Sequence, residues 1–381
     1  MNILIISHEY PPIGGGGANA CYYLTKEYAK CGHRVTLVTS MYHNLPSEEV
    51  MNNVRIIRVK ALRKKEEKST FLEMFTYLCS AWCKIRKMIK IEHYDVCQIF
   101  FGIPSGPIGL YLKKKYKIPY VVRFGGGDIP GAQKRFSFIY KLLSPIIRSI
   151  WMNADALVAN SEVLMQKALD FENRYPIDVI TNGVDSDFYA KDRDELKAHI
   201  VGQSNRVNIL FVSRLIQGKG LQYVIPYMRE INEKCLKSVY LTIVGDGPYR
   251  EELERITEET KTSEWVSFEG KKNKEELYFY YDQADLFILP SESEGMPNVV
   301  LEAMAMGLPI IMTPCGGSKE LIQGNGYVVS IDNFVDKVIN LCNDERSRIS
   351  MGEYSKLLAR TKFSWREKAE KYLEIFKRIS G

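Results

Sequence analysis

Short β-branched apolar runs alternate with amphipathic helical patterns along the chain. Strands joined by helices form parallel sheets that are covered by helices on both faces. Because the series of runs starts twice, the sequence predicts two doubly wound α/β domains. The predicted strands are 3–6, 34–39, 55–59, 96–99, 120–123, 156–159 and 177–180 in the first series, and 208–212, 240–244, 266–268, 286–289, 309–312 and 326–328 in the second.

The two series meet at a run of turn residues, Thr-Asn-Gly-Val-Asp at 181–185, which a polar segment follows. We therefore place an N-terminal domain at 1–183 and a C-terminal domain at 184–363. The helical pattern over 364–381 predicts a terminal helix that packs back on the N-terminal domain. Ligands of open α/β sheets bind beyond the carboxyl ends of the strands. We expect the functional site in a cleft where the two domains face each other.

Length and composition agree with a globular protein of two domains, because the 381 residues are 45% hydrophobic and 26% charged. Eight cysteines occur without a CxxC pair, and five histidines show no zinc-ligand spacing. We expect buried free thiols, no disulfide and no zinc. The start, Met1 to Ser7, has no basic leader, and no apolar run is long enough to span a membrane. A cytoplasmic protein is expected.

Positive charge is concentrated in the first half of the chain. The formal net charge is +6, and residues 55–90 contain eleven Lys or Arg against three Glu. Within this segment, apolar residues recur at helical spacing and the C-terminal end is basic. The apolar residues are Phe71, Met74, Phe75, Leu78, Trp82, Ile85 and Ile89, and the basic residues of the end are Lys84, Arg86, Lys87 and Lys90.

Two interpretations of this helix stay open: a helix that lies on an anionic membrane, and a core helix with a solvated basic end. A second basic cluster at 113–117 adds weight to the membrane interpretation. Nucleic acid is not expected as a partner, since no helix-turn-helix, RNA-binding aromatic motif or zinc finger accompanies the charge.

The strongest chemical signal is the run SESEGMPNVVLEAMAMGLP at 291–309, a loop that follows a predicted strand and passes into a helix. Glu294 lies in the loop, and Glu302 lies about two turns into the helix. Two carboxylates at different depths can accept hydrogen bonds from two sets of sugar hydroxyls. An isolated pair of this kind would more simply be a helix cap and a solvated helix position.

Two further loops offer groups that bind anions. After the first strand of the second series, Arg214 provides a fork of donors and Lys219 a compact charge, which together can neutralise a diphosphate. Near the start, four consecutive glycines at 14–17 open the first helix and let backbone amides approach an anion. This glycine-rich loop has neither the dinucleotide fingerprint nor the lysine of a Walker loop.

The run that contains Glu294 and Glu302 resembles the signature of family 4 glycosyltransferases. Seven residues separate the two glutamates, Gly-x-Pro follows the first, and Glu-Ala-Met begins at the second. The resemblance covers nearly the whole chain. It implies the GT-B fold, in which two Rossmann-like doubly wound domains face a central cleft, and sugar transfer with retention of anomeric configuration.

The resemblance also implies roles for particular residues. Glu294 would contact the transferred sugar, Glu302 would hold the ribose hydroxyls, and Arg214 and Lys219 would stabilise the departing diphosphate. Asp128 would lie on the acceptor side, next to Gly125, which stands where many relatives have a histidine. The other donor-binding positions are Gly15, Gly16, Gly17, Gly245, Gly270, Lys271, Gly295, Met296, Pro297, Asn298 and Val299.

The expected reaction moves a hexose or related sugar from a nucleoside diphosphate sugar, with UDP favoured over GDP, to a glycan or lipid-linked acceptor. Synthesis of a bacterial surface polysaccharide, such as lipopolysaccharide or capsule, would place the enzyme peripherally at the inner face of the cell membrane. No metal or other cofactor is expected, and Asp-Arg-Asp at 192–194 is interpreted as a solvated charge run.

Two alternatives remain. A non-catalytic glycosyltransferase-like partner subunit is suggested by Gly125. A nucleotide-sugar epimerase or a phosphorylase could be built on the same two domains.

Overall fold

The computed structural model describes residues 1–66, 69–131, 137–189 and 205–381. These residues form two compact units. The first unit comprises Met1–Asn182 together with Trp365–Gly381, and the second comprises Gly183–Ser364. The Asp-Arg-Asp run at 192–194 lies outside the described residues.

The first unit contains an eight-stranded sheet in the order β3-β4-β2-β1-β5-β6-β7-β8. Its strands are parallel except for β3, which pairs with β4 in the antiparallel direction. The strand order reverses between β1 and β5. The strands are β1 (Asn2–Ser7), β2 (Arg34–Ser40), β3 (Glu48–Met51), β4 (Val54–Val59), β5 (Val96–Phe100), β6 (Tyr120–Arg123), β7 (Ala156–Ala159) and β8 (Ile177–Val179).

Helices cover both faces of this sheet, which is why its inner strands are buried along nearly their whole length. Alternate residues of β1 enter different cores: Ile3 and Ile5 pack with the terminal helix, and Leu4 and Ile6 pack with α2 and α3. The helices are α1 (Gly16–Lys30), α2 (Phe71–Met88), α3 (Gly102–Tyr116), α4 (Ser137–Asn153), α5 (Glu162–Phe171) and, after the second unit, α14 (Trp365–Ser380).

The second unit contains a six-stranded parallel sheet in the order β11-β10-β9-β12-β13-β14, and its order reverses between β9 and β12. The strands are β9 (Arg206–Val212), β10 (Ser238–Val244), β11 (Val266–Gly270), β12 (Leu286–Leu289), β13 (Ile310–Met312) and β14 (Gly326–Val328). The helices are α6 (Ser186–Tyr189), α7 (Met228–Lys234), α8 (Arg250–Glu259), α9 (Lys274–Gln283), α10 (Asn298–Ala305), α11 (Ser318–Leu321), α12 (Phe334–Asn343) and α13 (Glu345–Thr361).

The predicted fold class, two doubly wound α/β domains, is confirmed, and every predicted strand is present. One strand was not predicted. Strand β3 reads Glu-Glu-Val-Met, and both glutamates are at least partly exposed at the sheet edge, so it lacks the apolar pattern of its neighbours.

The expectation that all cysteines are buried is wrong for part of the set. Cys31, Cys79 and Cys83 are exposed, because they lie on the outer surface or just beyond the end of a helix. All eight cysteines are free thiols.

Phe376 of α14 is fully buried and packs edge-on against Tyr28 of α1, with ring centroids 5.5 Å apart. We expect Phe376→Ala to lower the free energy of unfolding of the first unit by about 3 to 5 kcal/mol, since it leaves a cavity. Glu374→Ala, an exposed change on the same helix, should alter it by less than about 0.5 kcal/mol. Urea unfolding followed by tryptophan fluorescence measures both, and equal effects would contradict this account of the core.

Candidate functional site

Two loops of the second unit meet at the point where the strand order reverses, the usual ligand position in open α/β sheets. One follows β9 and carries Lys219, and the other follows β12 and carries Glu294. The Lys219 Nζ lies 2.5 Å from Glu294 Oε1, and the two side chains are only 18% and 13% exposed. The backbone amide of Glu292 also donates to the carbonyl of Gly218 at 2.9 Å. The structure therefore brings together two residues predicted to bind different parts of a donor.

This close approach requires glycine at two positions. Gly220 has a φ of +78°, and a Cβ atom there would lie 1.9 Å from the carbonyl oxygen of Pro290. A Cβ atom on Gly316, in the loop after β13, would lie 2.1 Å from the carbonyl oxygen of Glu294. Both contacts are with backbone, which cannot move aside as a flexible side chain can. Larger residues would force the loops around Glu294 apart.

Arg214 lies in the same loop as Lys219 but is exposed. Within the described ranges it forms no hydrogen bond or ion pair. The loop after β10 packs against the backbone just before Arg214: a Cβ on Gly245 would lie 1.8 Å from the carbonyl oxygen of Ser213. The Gly245 amide in turn donates to the carbonyl of Gly270 at 2.9 Å, and Lys271 follows on the surface. The predicted nucleotide-binding positions thus share one edge of the sheet.

Helix α10 begins beside Glu294 without a side-chain cap on its first amides. Met296 and Pro297 are buried immediately before it, and Gly295 is exposed. The first amides of a helix carry partial positive charge and attract anions. The positions Asn298 and Val299, predicted to meet sugar and phosphate, form this first turn.

Glu302 is a hydrogen-bonded residue of α10 rather than a solvated helix position. The hydroxyl of Tyr281 donates to its Oε2 at 2.9 Å. Burial raises the pKa of Glu302 to about 7, against the opposing effects of the Tyr281 hydrogen bond and the Lys274 ammonium group. The carboxyl group can therefore exchange a proton near neutral pH.

Sequence reasoning did not find the residues around Glu302. Lys274 lies with its Nζ 3.8 Å from the ring centroid of Phe188 and 3.6 Å from Asp185 Oδ2. Burial lowers the pKa of Lys274, while the Asp185 carboxylate acts in the opposite direction. Lys274 and Tyr281 belong to an ordinary helical pattern with an Asn273 cap, which carries no chemical signal.

In the first unit, the glycine-rich loop lies where predicted, between β1 and α1. Gly15 and Gly16 are exposed, and α1 begins at Gly16 without a side-chain cap. The amide of Gly14 donates to the carbonyl of Glu66 at 2.8 Å, which ties the loop to the segment before α2.

Asp128 is 3% exposed, and its carboxylate is occupied by backbone amides. Its Oδ2 accepts from Gly102 at 2.7 Å, and its Oδ1 accepts from Gly125 at 2.9 Å and from Gly126 at 3.0 Å. Burial raises the pKa of Asp128, while these amide bonds oppose the rise. The side chain joins the loops after β5 and β6, and direct contact with an acceptor stays a prediction.

Gly125, the position where the family resemblance would place a histidine, has no free space for a side chain. A Cβ atom on Gly125 would lie 2.1 Å from Cε1 of Phe101, so the ring of Phe101 occupies the space that a side chain there would need. His8 lies beside this ring, with centroids 5.1 Å apart. Burial, together with Arg63, lowers the pKa of His8 to about 3, so His8 is neutral at physiological pH.

Among the described residues, no group of three or more His, Cys, Asp or Glu side chains is arranged to hold a metal ion. Metal independence stays a prediction. No helix in the described part of the chain combines the length and the apolar character that spanning a bilayer requires.

Comparison with known proteins gives matches along the chain. The family model Glycosyltransferase Family 4 matches residues 14–188, and Glycosyl transferases group 1 matches residues 192–358. An uncharacterized glycosyltransferase of Methanocaldococcus jannaschii is 27% identical over 99% of this chain and 98% of its own. The GDP-mannose-dependent alpha-(1-6)-phosphatidylinositol monomannoside mannosyltransferase of Mycobacterium tuberculosis is 30% identical over 98% of both chains.

Among solved structures, the sucrose-phosphate synthase of Thermosynechococcus elongatus has a TM-score of 0.81 at 20% identity. The match covers 100% of this chain and 99% of that one, and it supports the assignment of the fold.

The raised pKa of Glu302 makes stability depend on pH. Between its ordinary pKa of 4.5 and about 7, the folded protein keeps a proton that the unfolded chain has lost, so stability falls as pH rises through this window. We expect Glu302→Gln, which keeps an acceptor for Tyr281 but has no charge to bury, to gain stability relative to wild type from about pH 5 to about pH 8. Melting temperatures across this range test it. A difference that does not change with pH would contradict the assignment.

Proposed function

This chain belongs to family 4 of the glycosyltransferases, and we propose that it transfers a sugar from a nucleoside diphosphate sugar to an acceptor hydroxyl with retention of anomeric configuration. The observation that carries the proposal is the Lys219–Glu294 pair at the reversal point of the second unit's sheet. Here a positive charge suited to a diphosphate lies against a carboxylate suited to sugar hydroxyls. Arg214 lies in the loop that carries Lys219, and the first turn of α10 directly follows the loop that carries Glu294.

In the proposed reaction, the acceptor oxygen forms a bond to the anomeric carbon on the face from which the diphosphate departs. The bond between the anomeric carbon and the diphosphate oxygen breaks, and the acceptor proton passes to the departing phosphate. Negative charge therefore develops on the leaving group, where Arg214, Lys219 and backbone amides of α10 would stabilise it. Each such contact contributes about 2 to 4 kcal/mol to the barrier reduction in comparable sites.

Lys219 would serve two parts of the donor at once. An ammonium group has three donors, so the bond to Glu294 leaves Lys219 able to donate to a phosphate oxygen. The same bond fixes the Glu294 carboxylate beside the diphosphate position, which favours a productive orientation of the sugar. Removal of Lys219 would then misplace Glu294 as well as weaken diphosphate binding.

We propose that the positive side chains Arg214 and Lys219 replace a divalent metal in the neutralisation of the diphosphate. The donor is a hexose or related sugar nucleotide. UDP stays the predicted nucleotide of the donor, while the mannosyltransferase relative is named for GDP-mannose. Both nucleotides therefore belong in the assay.

A peripheral contact with an anionic membrane is a second part of the proposal, and α2 carries it. Leu72 and Phe75 are each 61% exposed at its beginning, and Arg86 and Lys87 are exposed at its end. The face that packs into the core is instead formed by Tyr77, Ala81, Ile85 and Met88. Phe75, grouped by sequence with the apolar residues of the helix, therefore lies on the outside.

This exposed stripe combines apolar side chains with positive charge, the composition of helices that lie in a membrane interface. Lys114 and Lys115, on the neighbouring helix α3, are also exposed, whereas Lys113 pairs with Asp155 at 2.7 Å. A lipid-linked acceptor in surface-polysaccharide synthesis would make such a contact useful, and the mannosyltransferase relative is named for phosphatidylinositol monomannoside.

Thermal unfolding with UDP, GDP and ADP, each with and without magnesium, tests the donor site. We expect one nucleotide to raise the melting temperature of the wild type without magnesium, since a ligand at 100 times its Kd stabilises by about 2.7 kcal/mol. Arg214→Ala should abolish most of this shift, because it removes a charge from the diphosphate position. Arg346→Ala, an exposed change on α13, is the matched control and should keep the shift.

No shift with any nucleotide would favour the non-catalytic partner subunit. Conversion of a donor sugar without any acceptor, by epimerisation, would favour the epimerase.

Vesicle flotation tests the membrane contact. We expect binding to phosphatidylglycerol-rich vesicles at low salt, little binding to phosphatidylcholine vesicles, and loss of binding in Arg86→Glu/Lys87→Glu and in Phe75→Ser. High salt should weaken binding because it screens the charges. Leu236→Ser, which alters an 87% exposed leucine of the second unit, should leave binding unchanged. Equal flotation of wild type and both α2 variants would exclude this surface.

A further inference from the structure

Phe101 follows β5 at the point where the strand order of the first unit reverses. Its φ is +71°, a region that favours glycine and that a bulky aromatic residue seldom adopts. Such backbone conformations persist only where the surrounding structure holds them, and they concentrate at functional sites. The residue is only 8% exposed.

The ring of Phe101 fills the side-chain space of two glycines at once. A Cβ atom on Gly17 would lie 2.5 Å from its Cζ, and a Cβ atom on Gly125 would lie 2.1 Å from its Cε1. Gly17 is the last glycine of the glycine-rich run and lies in the first turn of α1, and Gly125 belongs to the loop after β6. The ring therefore lies between the loops of the two strands that flank β5.

The backbone around Phe101 is held from the same side. The Phe101 amide donates to the carbonyl of Arg123 at 3.0 Å. The next amide, that of Gly102, donates to Asp128, whose other oxygen accepts from Gly125 and Gly126. The position of the ring relative to the loop after β6 is thus fixed by hydrogen bonds.

We propose that Phe101 is a positioning residue at this edge of the first unit's sheet: its ring sets the spacing between the glycine-rich loop and the loop after β6. The exposed backbone of Gly15, Gly16 and Gly125 is the surface that a substrate would meet there, and Phe101 acts through it rather than by contact. This inference deepens the proposed function and rests on it for the identity of the substrate. It also accounts for the glycine at position 125, because the space can hold either the Phe101 ring or a side chain at 125, but not both.

A double-mutant cycle tests whether positions 101 and 125 share that space. Gly125→Ala should lower the melting temperature of the wild type by about 3 to 6 °C, since overpacking a filled site is destabilising. In a Phe101→Gly background, which removes the ring and suits the positive φ, the same change should cost less than about 1 °C. Equal losses in both backgrounds would overturn the proposal.

Hydrogen exchange provides the readout of positioning. Phe101→Leu and Phe101→Gly should each accelerate amide exchange several-fold at both 15–19 and 125–128, with no change in α14. The control Phe376→Leu makes the same chemical change at a buried site of α14 and should accelerate exchange in α14 without a matching change at the two loops. Uniform acceleration across the first unit in the Phe101 variants would mean a structural role only.

Both measurements need no substrate, so they separate this inference from the proposed function. If nucleotide binding fails while the cycle and the exchange pattern hold, the spacing role stands and the identity of the substrate must be revised. If nucleotide binding succeeds while the cycle shows no coupling, the positioning role is wrong and the transferase stands.

Discussion

Parallel strands impose the constraint on which the rest of this structure depends. After each strand the chain must cross back to the other end of the sheet before a parallel neighbour can begin. The carboxyl ends of all parallel strands therefore lie along one edge. Where the strand order reverses, the crossovers diverge to opposite faces and leave a crevice at that edge. In the second unit this point lies between β9 and β12, whose loops carry Lys219 and Glu294. In the first unit it lies between β1 and β5, whose loops carry the glycines at 14–17 and Phe101.

Backbone packing then converts these edges into defined surfaces. Gly220, Gly245 and Gly316 each place a missing Cβ within 2.1 Å of a carbonyl oxygen of a neighbouring loop. The second unit thus holds its loops by direct contact of main chains, and its charged side chains project from a closely packed base. In the first unit, two side chains hold the loops instead. The Asp128 carboxylate accepts hydrogen bonds from the amides of the loops after β5 and β6, and the Phe101 ring fills the space between Gly17 and Gly125.

The sequence predicted what depends on periodicity and on contiguous motifs. The fold class followed from apolar runs that repeat along the chain, and the strand 120–123 was placed with its observed limits. The edge strand β3 was missed, since an exposed strand needs no apolar pattern. For the candidate site, local motifs indicated Glu294, Glu302, Arg214 and Lys219. The partners of Glu302, Tyr281 and Lys274, come from a different helix and become neighbours only through the fold.

Helix α14 has a consequence for how the protein is made. Its residues Trp365, Tyr372 and Phe376 complete a core that begins with Ile3 and Ile5 of β1. A ribosome synthesises all 182 residues of the second unit between these two parts. The second unit is a single uninterrupted segment, so it can fold as soon as it emerges. The first unit, although it starts earlier, keeps an apolar face of its sheet and α1 uncovered throughout that interval. Order of synthesis and order of completion are therefore opposite: the N-terminal part of the first unit is made first, and its core is completed last.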